Sequence, residues 1–322
     1  MSKNFDCIIL GGGPAGLSSA LYALRGGLKT AIVDIDAIGG APVNYCEIEN
    51  YLGFSKIQGF ELCEKFENHV DEFNVEKFPY EEIQNIDLIS PIKKITTLNH
   101  KFSAKTIIIA TGAKSKKLNI KGEIENIGRG VSYCAVCDGA FYKDKVVAVV
   151  GGGNSALEEA LYLAKFVKKV YLIHRRDAFR ADKIVQNRVF ENKKIELILN
   201  SNVVEILSKD KVNGILIKDI ETNKIKELKI DGIFPYIGLE PNVEQFGAQL
   251  KQDKNGFIIT NEFMETNIKG VFAIGDVRNT PLRQVITAVS DGAIASVEAA
   301  KYIANIDSVA IRKWNESISF WW

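Results

Sequence analysis

The chain has 322 residues, enough for about two domains at roughly 100–200 residues each. Hydrophobic residues make up 46% and charged residues 25%, a globular balance, and a net charge of +1 argues against nucleic acid or an anionic membrane as partner. No run reaches the ~18 apolar residues of a membrane span.

The first predicted element is a strand from Cys7 to Leu10. It is too short for a signal-peptide core and leads straight into a glycine turn, so the cytoplasm is the expected location. The turn reads Gly11-x-Gly13-x-x-Gly16, then a helix with apolar spacing, then a second strand, KTAIVD, ending in Asp34. This is the dinucleotide fingerprint in its required context. Gly11 permits the tight turn, Gly13 lets a pyrophosphate approach the backbone, and Gly16 lets helix and strand pack closely. Asp34 is placed to accept ribose hydroxyls, which reads as FAD or NAD.

Ala104 to Leu118 reads as a returning strand with an Ala-Thr-Gly turn and a polar linker. Next comes YCAVCDG, Tyr133 to Gly139, with two of the five cysteines. Three readings compete for Cys134 and Cys137: half of a zinc site, two buried thiols, or a redox pair. Zinc needs four ligands, and Cys7, Cys46 and Cys63 form no second close pair, while the three histidines show no ligand spacing.

The fingerprint then repeats. The strand Val146 to Val150 enters Gly151-x-Gly153-x-x-Ala156 and a helix, and the following strand KVYLIH ends at His174. No acid closes it. Arg175, Arg176 and Arg180 follow instead, and guanidinium forks suit a 2′-phosphate that a carboxylate would repel. The second fold therefore reads as NADP(H). DGIFPYIGLEPN is a further returning strand and crossover, and the stretch after Thr266 gives a strand ending in Gly275-Asp276 and a long helix. The expected fold is α/β, with two Rossmann-like dinucleotide-binding domains, one inserted in the other. Expected boundaries are 1–113 with 242–322 for the outer domain and 114–241 for the inserted one.

The motifs GGGPAG, ENYLGF, ATG, SYCAVCDG, GGGNSALEEA, HRRDAFRA, GDV and RQVITA occur in this order over about residues 5–303. In this the chain resembles the low-molecular-weight thioredoxin reductases. The resemblance implies a cytoplasmic homodimer that carries FAD and passes electrons from NADPH through a Cys pair to thioredoxin or a thioredoxin-like disulfide protein. It makes 1–113 with 242–322 the FAD domain and 114–241 the NADPH domain. It implies a flavin site at Gly11, Gly13, Gly16, Asp34, Gly40, Asn50, Asp276, Arg283 and Gln284. It implies an NADPH site at Gly151, Gly153, Asn154, Ser155, His174, Arg175, Arg176 and Arg180.

The same resemblance makes Cys134, Cys137 and Asp138 the redox centre. Cys137 is then the sulfur toward the flavin, Cys134 the thiol that attacks the substrate, and Asp138 the proton carrier. A helix N-terminus beneath the pair is expected to lower the thiol pKa. The linkers near Lys114–Lys117 and Gly238–Asn242 are expected to act as a hinge.

Four departures from the family pattern stand out. Ala41 replaces a glutamine after Gly39-Gly40, and Leu52 replaces a proline. Val289-Ser290 replace a small pair, and the chain continues past the last helix through 305–322 to Phe320-Trp321-Trp322. That aromatic tail is expected to bury against a partner subunit or over the flavin, with disorder as the third reading.

Competing functions are a glutathione-reductase-type enzyme, a ferredoxin reductase of the same fold, a reductase of peroxiredoxin-type proteins, a small-molecule dithiol oxidase, and a non-catalytic nucleotide sensor. The first would need a cysteine where Pro42 stands, the second lacks the CxxC, and the sensor would need no Cys pair.

Overall fold

The computed structural model describes residues 2–44 and 48–319. Cys46 and the Phe320-Trp321-Trp322 end lie outside the described residues, whereas 305–319, expected to follow the last helix, are part of it. The chain splits into two compact units, 1–114 with 240–322 and 115–239.

The outer unit opens with β1 (Ser2–Leu10), α1 (Pro14–Arg25), β2 (Thr30–Val33), α2 (Gly59–Asp71) and β3 (Glu76–Phe78). Next come β4 (Ile83–Asp87), β5 (Lys93–Thr97), β6 (Lys101–Ile109) and the short crossover strand β7 (Ala113–Ser115). The strands form one sheet in the order β3-β2-β1-β6-β5-β4. Strands β3, β2, β1 and β6 run parallel, and the apolar runs of β2, β1 and β6 are buried on both faces, as a helix-covered parallel sheet requires. β6 changes partner along its length: Lys101–Ala104 pair antiparallel with β5, while Ile107–Ile109 pair parallel with a strand from the far end of the chain.

The inserted unit contains α3 (Ala135–Asp138), β8 (Val146–Gly151), α4 (Asn154–Ala164), β9 (Lys169–Ile173), α5 (Lys183–Glu191) and β10 (Ile195–Ile198). An antiparallel meander follows, β11 (Ser201–Ser208), β12 (Val212–Asp219) and β13 (Ile225–Leu228), then β14 (Gly232–Tyr236). Strands β10-β9-β8-β14 form a second parallel sheet. The meander covers one face of it, with Val203, Ile206 and Ile215 in one core with Ala148 and Val150.

The chain returns through β15 (Leu239–Pro241), which pairs with β7. It then supplies β16 (Val271–Ala273), the late partner of β6, and α6 (Val285–Ser319). α6 crosses α1 closely. A Cβ on Gly292 would stand 2.4 Å from the Ala15 carbonyl oxygen, so only glycine allows this approach. Ser19 and Ser296 hydroxyls hydrogen-bond at 2.8 Å in the same crossing, and Ser18 Oγ donates to the Val289 carbonyl at 2.7 Å. Among the described residues, no helix is long and apolar enough to cross a membrane.

Candidate active site

The first glycine turn is held by steric necessity. Gly11 has φ +112°, and a Cβ there would meet the Ala110 carbonyl oxygen at 2.3 Å. A Cβ on Gly16 would stand 1.9 Å from the Gly11 carbonyl oxygen. Gly13 has the Gly40 Cα at 3.6 Å and the Gly39 carbonyl oxygen at 4.0 Å from its missing Cβ, and it leads α1 without a side-chain cap. Gly40, φ +69°, would press a Cβ to 2.7 Å from Gly13 Cα. Two glycines thus face each other beside uncapped helix amides, a cradle suited to a pyrophosphate.

Asp34 stands just past β2, as the fingerprint requires. Its carboxylate accepts from the Gly12 amide at 2.6 Å and the Asp36 amide at 3.0 Å. Burial pushes its pKa up, against the pull of those amides. Asn50 and Gln284 meet directly, the Asn50 Nδ2 donating to Gln284 Oε1 at 3.0 Å. Asp276 sits in the turn after β16, where burial raises its pKa despite Arg283 nearby. The Arg283 guanidinium lies 3.9 Å over the Phe257 ring and donates to the carbonyls of Asp276 and Arg278.

Sequence reasoning missed the brace behind this turn. Asp291 is buried, accepts two hydrogen bonds from the Arg278 guanidinium at 2.7 and 3.2 Å, and accepts one from the Gly275 amide at 3.0 Å. Bidentate pairing of this kind fixes geometry as well as charge. The arginine directly after Gly-Asp-Val was the available signal.

Two of the departures lie at the surface: Ala41 is exposed in a short 3-10 turn, and Leu52 is 90% exposed.

In the inserted unit, Gly151 again admits no side chain, since a Cβ would stand 2.3 Å from the Tyr236 carbonyl oxygen. Gly153 leads α4 with open space around its missing Cβ. His174 is 5% exposed, packs its ring against Gly152, and its Nε2 has no hydrogen-bond partner within the protein. Burial, with Arg180 second, lowers its pKa. Arg175, Arg176, Arg180 and Ser155 are exposed. The Arg180 amide donates to the Gly152 carbonyl at 2.8 Å, and Asn154 and Asp182 exchange hydrogen bonds of 2.7 and 2.8 Å. These contacts tie the arginine segment to the glycine turn, and Asp182 is a second residue that sequence reasoning missed. The orphaned imidazole nitrogen, the open side of Gly153 and three exposed guanidinium groups fit a phosphorylated nucleotide.

Cys134 and Cys137 form a disulfide, with Cys134 half-buried and Cys137 exposed. The expected helix beneath them is a single turn of four residues, Ala135–Asp138, with Cys134 as its N-cap. A turn that short carries little dipole. The local stabilisation is instead a hydrogen bond, the Cys137 amide donating to Cys134 Sγ at 3.1 Å. Asp138 follows, its amide donating to the Cys134 carbonyl at 3.2 Å. Of the two aromatics beyond, Phe141 is 73% exposed, whereas Tyr142 packs edge-on against Phe234. Cys7 and Cys63 are free, buried thiols whose pKa values are raised by burial, Cys63 to about 11. Among the described residues, no cluster of three or more His, Cys, Asp and Glu side chains could hold a metal.

The pyridine nucleotide-disulphide oxidoreductase family matches residues 5–292. The thioredoxin reductase of Bacillus subtilis is 42% identical over 94% of this chain and 96% of its own. The crystal structure of Lactococcus lactis thioredoxin reductase superposes with a TM-score of 0.91 at 44% identity, covering 94% of this chain and 99% of that one. The T. acidophilum thioredoxin reductase structure gives 0.89 at 35% identity, covering 94% and 99%. On this likeness over nearly the whole length, the chain belongs to the pyridine nucleotide-disulphide oxidoreductase family and, within it, to the low-molecular-weight thioredoxin reductases.

Proposed function

We propose that this protein reduces the active-site disulfide of thioredoxin, or of a thioredoxin-like protein, with electrons drawn from NADPH. The observation that carries the reading is the Cys134–Cys137 disulfide, set on the same unit as a complete glycine turn and an arginine cluster, with Cys137 open to solvent. In this reading residues 1–113 with 242–322 hold FAD, through the Gly13–Gly40 cradle, Asp34, Asn50, Asp276, Arg283 and Gln284. Residues 114–241 hold NADPH, through Gly151, Gly153, Asn154 and Ser155 at the turn and Arg175, Arg176 and Arg180 at the 2′-phosphate. Bound FAD supplies a two-electron carrier between the nicotinamide and the disulfide.

The chain's own residues do the exchange. The reduced pair holds two thiols, and the Cys137 amide stabilises negative charge on Cys134 Sγ through the hydrogen bond already present in the disulfide form. The Cys134 thiolate attacks one sulfur of the partner disulfide, forming a mixed disulfide and releasing the other sulfur as a thiolate. Cys137 then attacks Cys134 Sγ, which restores the disulfide and frees the reduced partner. Asp138, next to Cys137, carries the proton between the pair and solvent. Exposed Phe141 offers apolar surface for a protein partner.

The two crossovers serve as the hinge of the inserted unit in this reading. Thr111 and Asn242 lock one end with reciprocal hydrogen bonds of 2.7 and 2.9 Å, and the Lys116 amide bonds the Gly238 carbonyl at 2.9 Å at the other. The same reading makes the protein a cytoplasmic homodimer, with exposed Leu52, Phe54 and Ile286 of the outer unit available to a second copy. The test is NADPH oxidation by the flavin-loaded protein with thioredoxin disulfide as acceptor. Turnover dependent on thioredoxin is expected, and NADPH oxidation indifferent to it would overturn the reading.

A further inference from the structure

The first cysteine of the disulfide loop is flanked on both sides by phenol tethers. Glu123 is fully buried, at 0% exposure. Its carboxylate accepts from the Leu118 amide at 2.7 Å, the Asn119 amide at 2.7 Å and the Tyr133 hydroxyl at 2.7 Å. Tyr133 directly precedes Cys134. On the other side, the Ala135 amide donates to the Tyr236 hydroxyl at 3.0 Å. Tyr236 ends β14, where its backbone pairs with Gly151 of the glycine turn. Ser132 completes the frame, accepting from the Cys134 amide at 3.1 Å.

We propose that Tyr133 and Tyr236 are positioning residues for the Cys134–Cys137 couple, with buried Glu123 as anchor, and that they set its redox equilibrium by holding the two sulfurs within bonding reach. This deepens, and rests on, the reading of the couple as the carrier of electrons to a protein disulfide. Closing a disulfide costs the dithiol conformational freedom. A loop already fixed next to both ends of its first cysteine loses less, so the effective concentration of one sulfur at the other is higher. Removing a tether therefore favours the dithiol. The Tyr133 bond ends on a carboxylate and is the stronger of the two, so its loss has the larger effect.

The test equilibrates the full-length, flavin-loaded protein with dithiothreitol buffers of graded thiol-to-disulfide ratio, without NADPH, and counts alkylated Cys134 and Cys137. In each event one S–S bond breaks in the protein and one forms in dithiothreitol, with two electrons and two protons passing to the protein. Tyr133→Phe is expected to move the midpoint ratio about tenfold toward the dithiol, which is about 30 mV for a two-electron couple. Tyr236→Phe and Glu123→Gln move it in the same direction, Tyr236→Phe by less. Both redox forms are folded, so general destabilisation does not shift this midpoint. Should Tyr133→Phe fail to fold, the other two variants decide. Midpoints within twofold of wild type in the variants that fold overturn the proposal. Failure of the wild type to reduce thioredoxin would instead overturn the function, while the midpoints still report on the tethers.

Discussion

Asn50 and Gln284 lie 234 residues apart in the chain, and the Asn50 amide donates to the Gln284 side-chain carbonyl at 3.0 Å. The bond stitches the loop ahead of α2 to the residue that leads into α6. Gln284 is held in turn by its own amide, which donates to Thr287 Oγ1 at 3.1 Å. Both side chains belong to the proposed flavin site, so each orients the other for it. A neutral hydrogen bond is worth roughly 0.5–1.5 kcal/mol. Asn50→Ala is therefore expected to weaken FAD retention by up to about tenfold, read as the flavin-to-protein ratio after gel filtration. An unchanged ratio would show that the pair is structural only.

The redox assignment predicts a split between acceptors. Cys134→Ser and Cys137→Ser each remove one sulfur of a couple that needs both. Thioredoxin-dependent NADPH oxidation is expected to vanish in either variant. Reduction of ferricyanide, which takes electrons without a dithiol, is expected to persist. Residual thioredoxin turnover above a percent or so in either variant sinks the assignment.

Arg175, Arg176 and Arg180 are exposed and unencumbered by an acid at the strand end, so they predict a preference for the phosphorylated nucleotide. A hydrogen bond to a charged group contributes roughly 1.5–3 kcal/mol, about tenfold or more in affinity. Changing all three to Ala is expected to raise the KM for NADPH at least a hundredfold while leaving that for NADH nearly unmoved. Steady-state kinetics with both nucleotides check this, and a wild type that uses NADH equally well contradicts it.

Glu159 in α4 supplies a pH signature. It is buried, its Oε2 has no partner within the protein, and burial pushes its pKa up from 4.5 to about 7, with Glu158 adding to the rise. The folded state thus holds a proton that the unfolded chain has already released between those two values. Stability contributed by this group falls as pH rises from 4.5 through 7 and is level above that. Glu159→Gln keeps the shape and cannot ionise. It is expected to be more stable than wild type at pH 8 by on the order of 3 kcal/mol, and about equal to it near pH 4.5. Thermal unfolding across that range decides, and parallel curves for the two proteins refute the assignment.

The buried brace Asp291–Arg278 predicts a large loss on removal of one partner. Asp291→Ala would leave the Arg278 guanidinium without its carboxylate and the Gly275 amide without its acceptor. Breaking a buried pair in this way costs roughly 3–5 kcal/mol. Denaturant unfolding is expected to show that loss, together with weaker flavin retention because the Gly275–Val277 turn is no longer held. A loss below about 1 kcal/mol would place the brace at the surface in effect.

The features legible in the amino-acid order are those whose physics is local. A glycine turn between a strand and a helix is written in consecutive residues: Gly16 is required by the Gly11 carbonyl five positions back, although what excludes a side chain at Gly11 is the distant Ala110 carbonyl. The acid at Asp34, the arginines after His174 and the CxxC spacing are equally local, so both dinucleotide folds and the redox pair were legible. The tertiary structure alone decided which distant side chains support them. Asn50 with Gln284, Arg278 with Asp291, and the tether of Tyr236 to Ala135 join residues that no periodicity relates, and each is a polar contact that exists only once sheets and helices have brought the two ends together. The helix start expected beneath the cysteines is there, with Cys134 as its N-cap, but its extent follows from packing. Gly139 caps the turn and the chain tightens into a 3-10 turn through Tyr142, whose ring packs against Phe234 and Gly232 of β14.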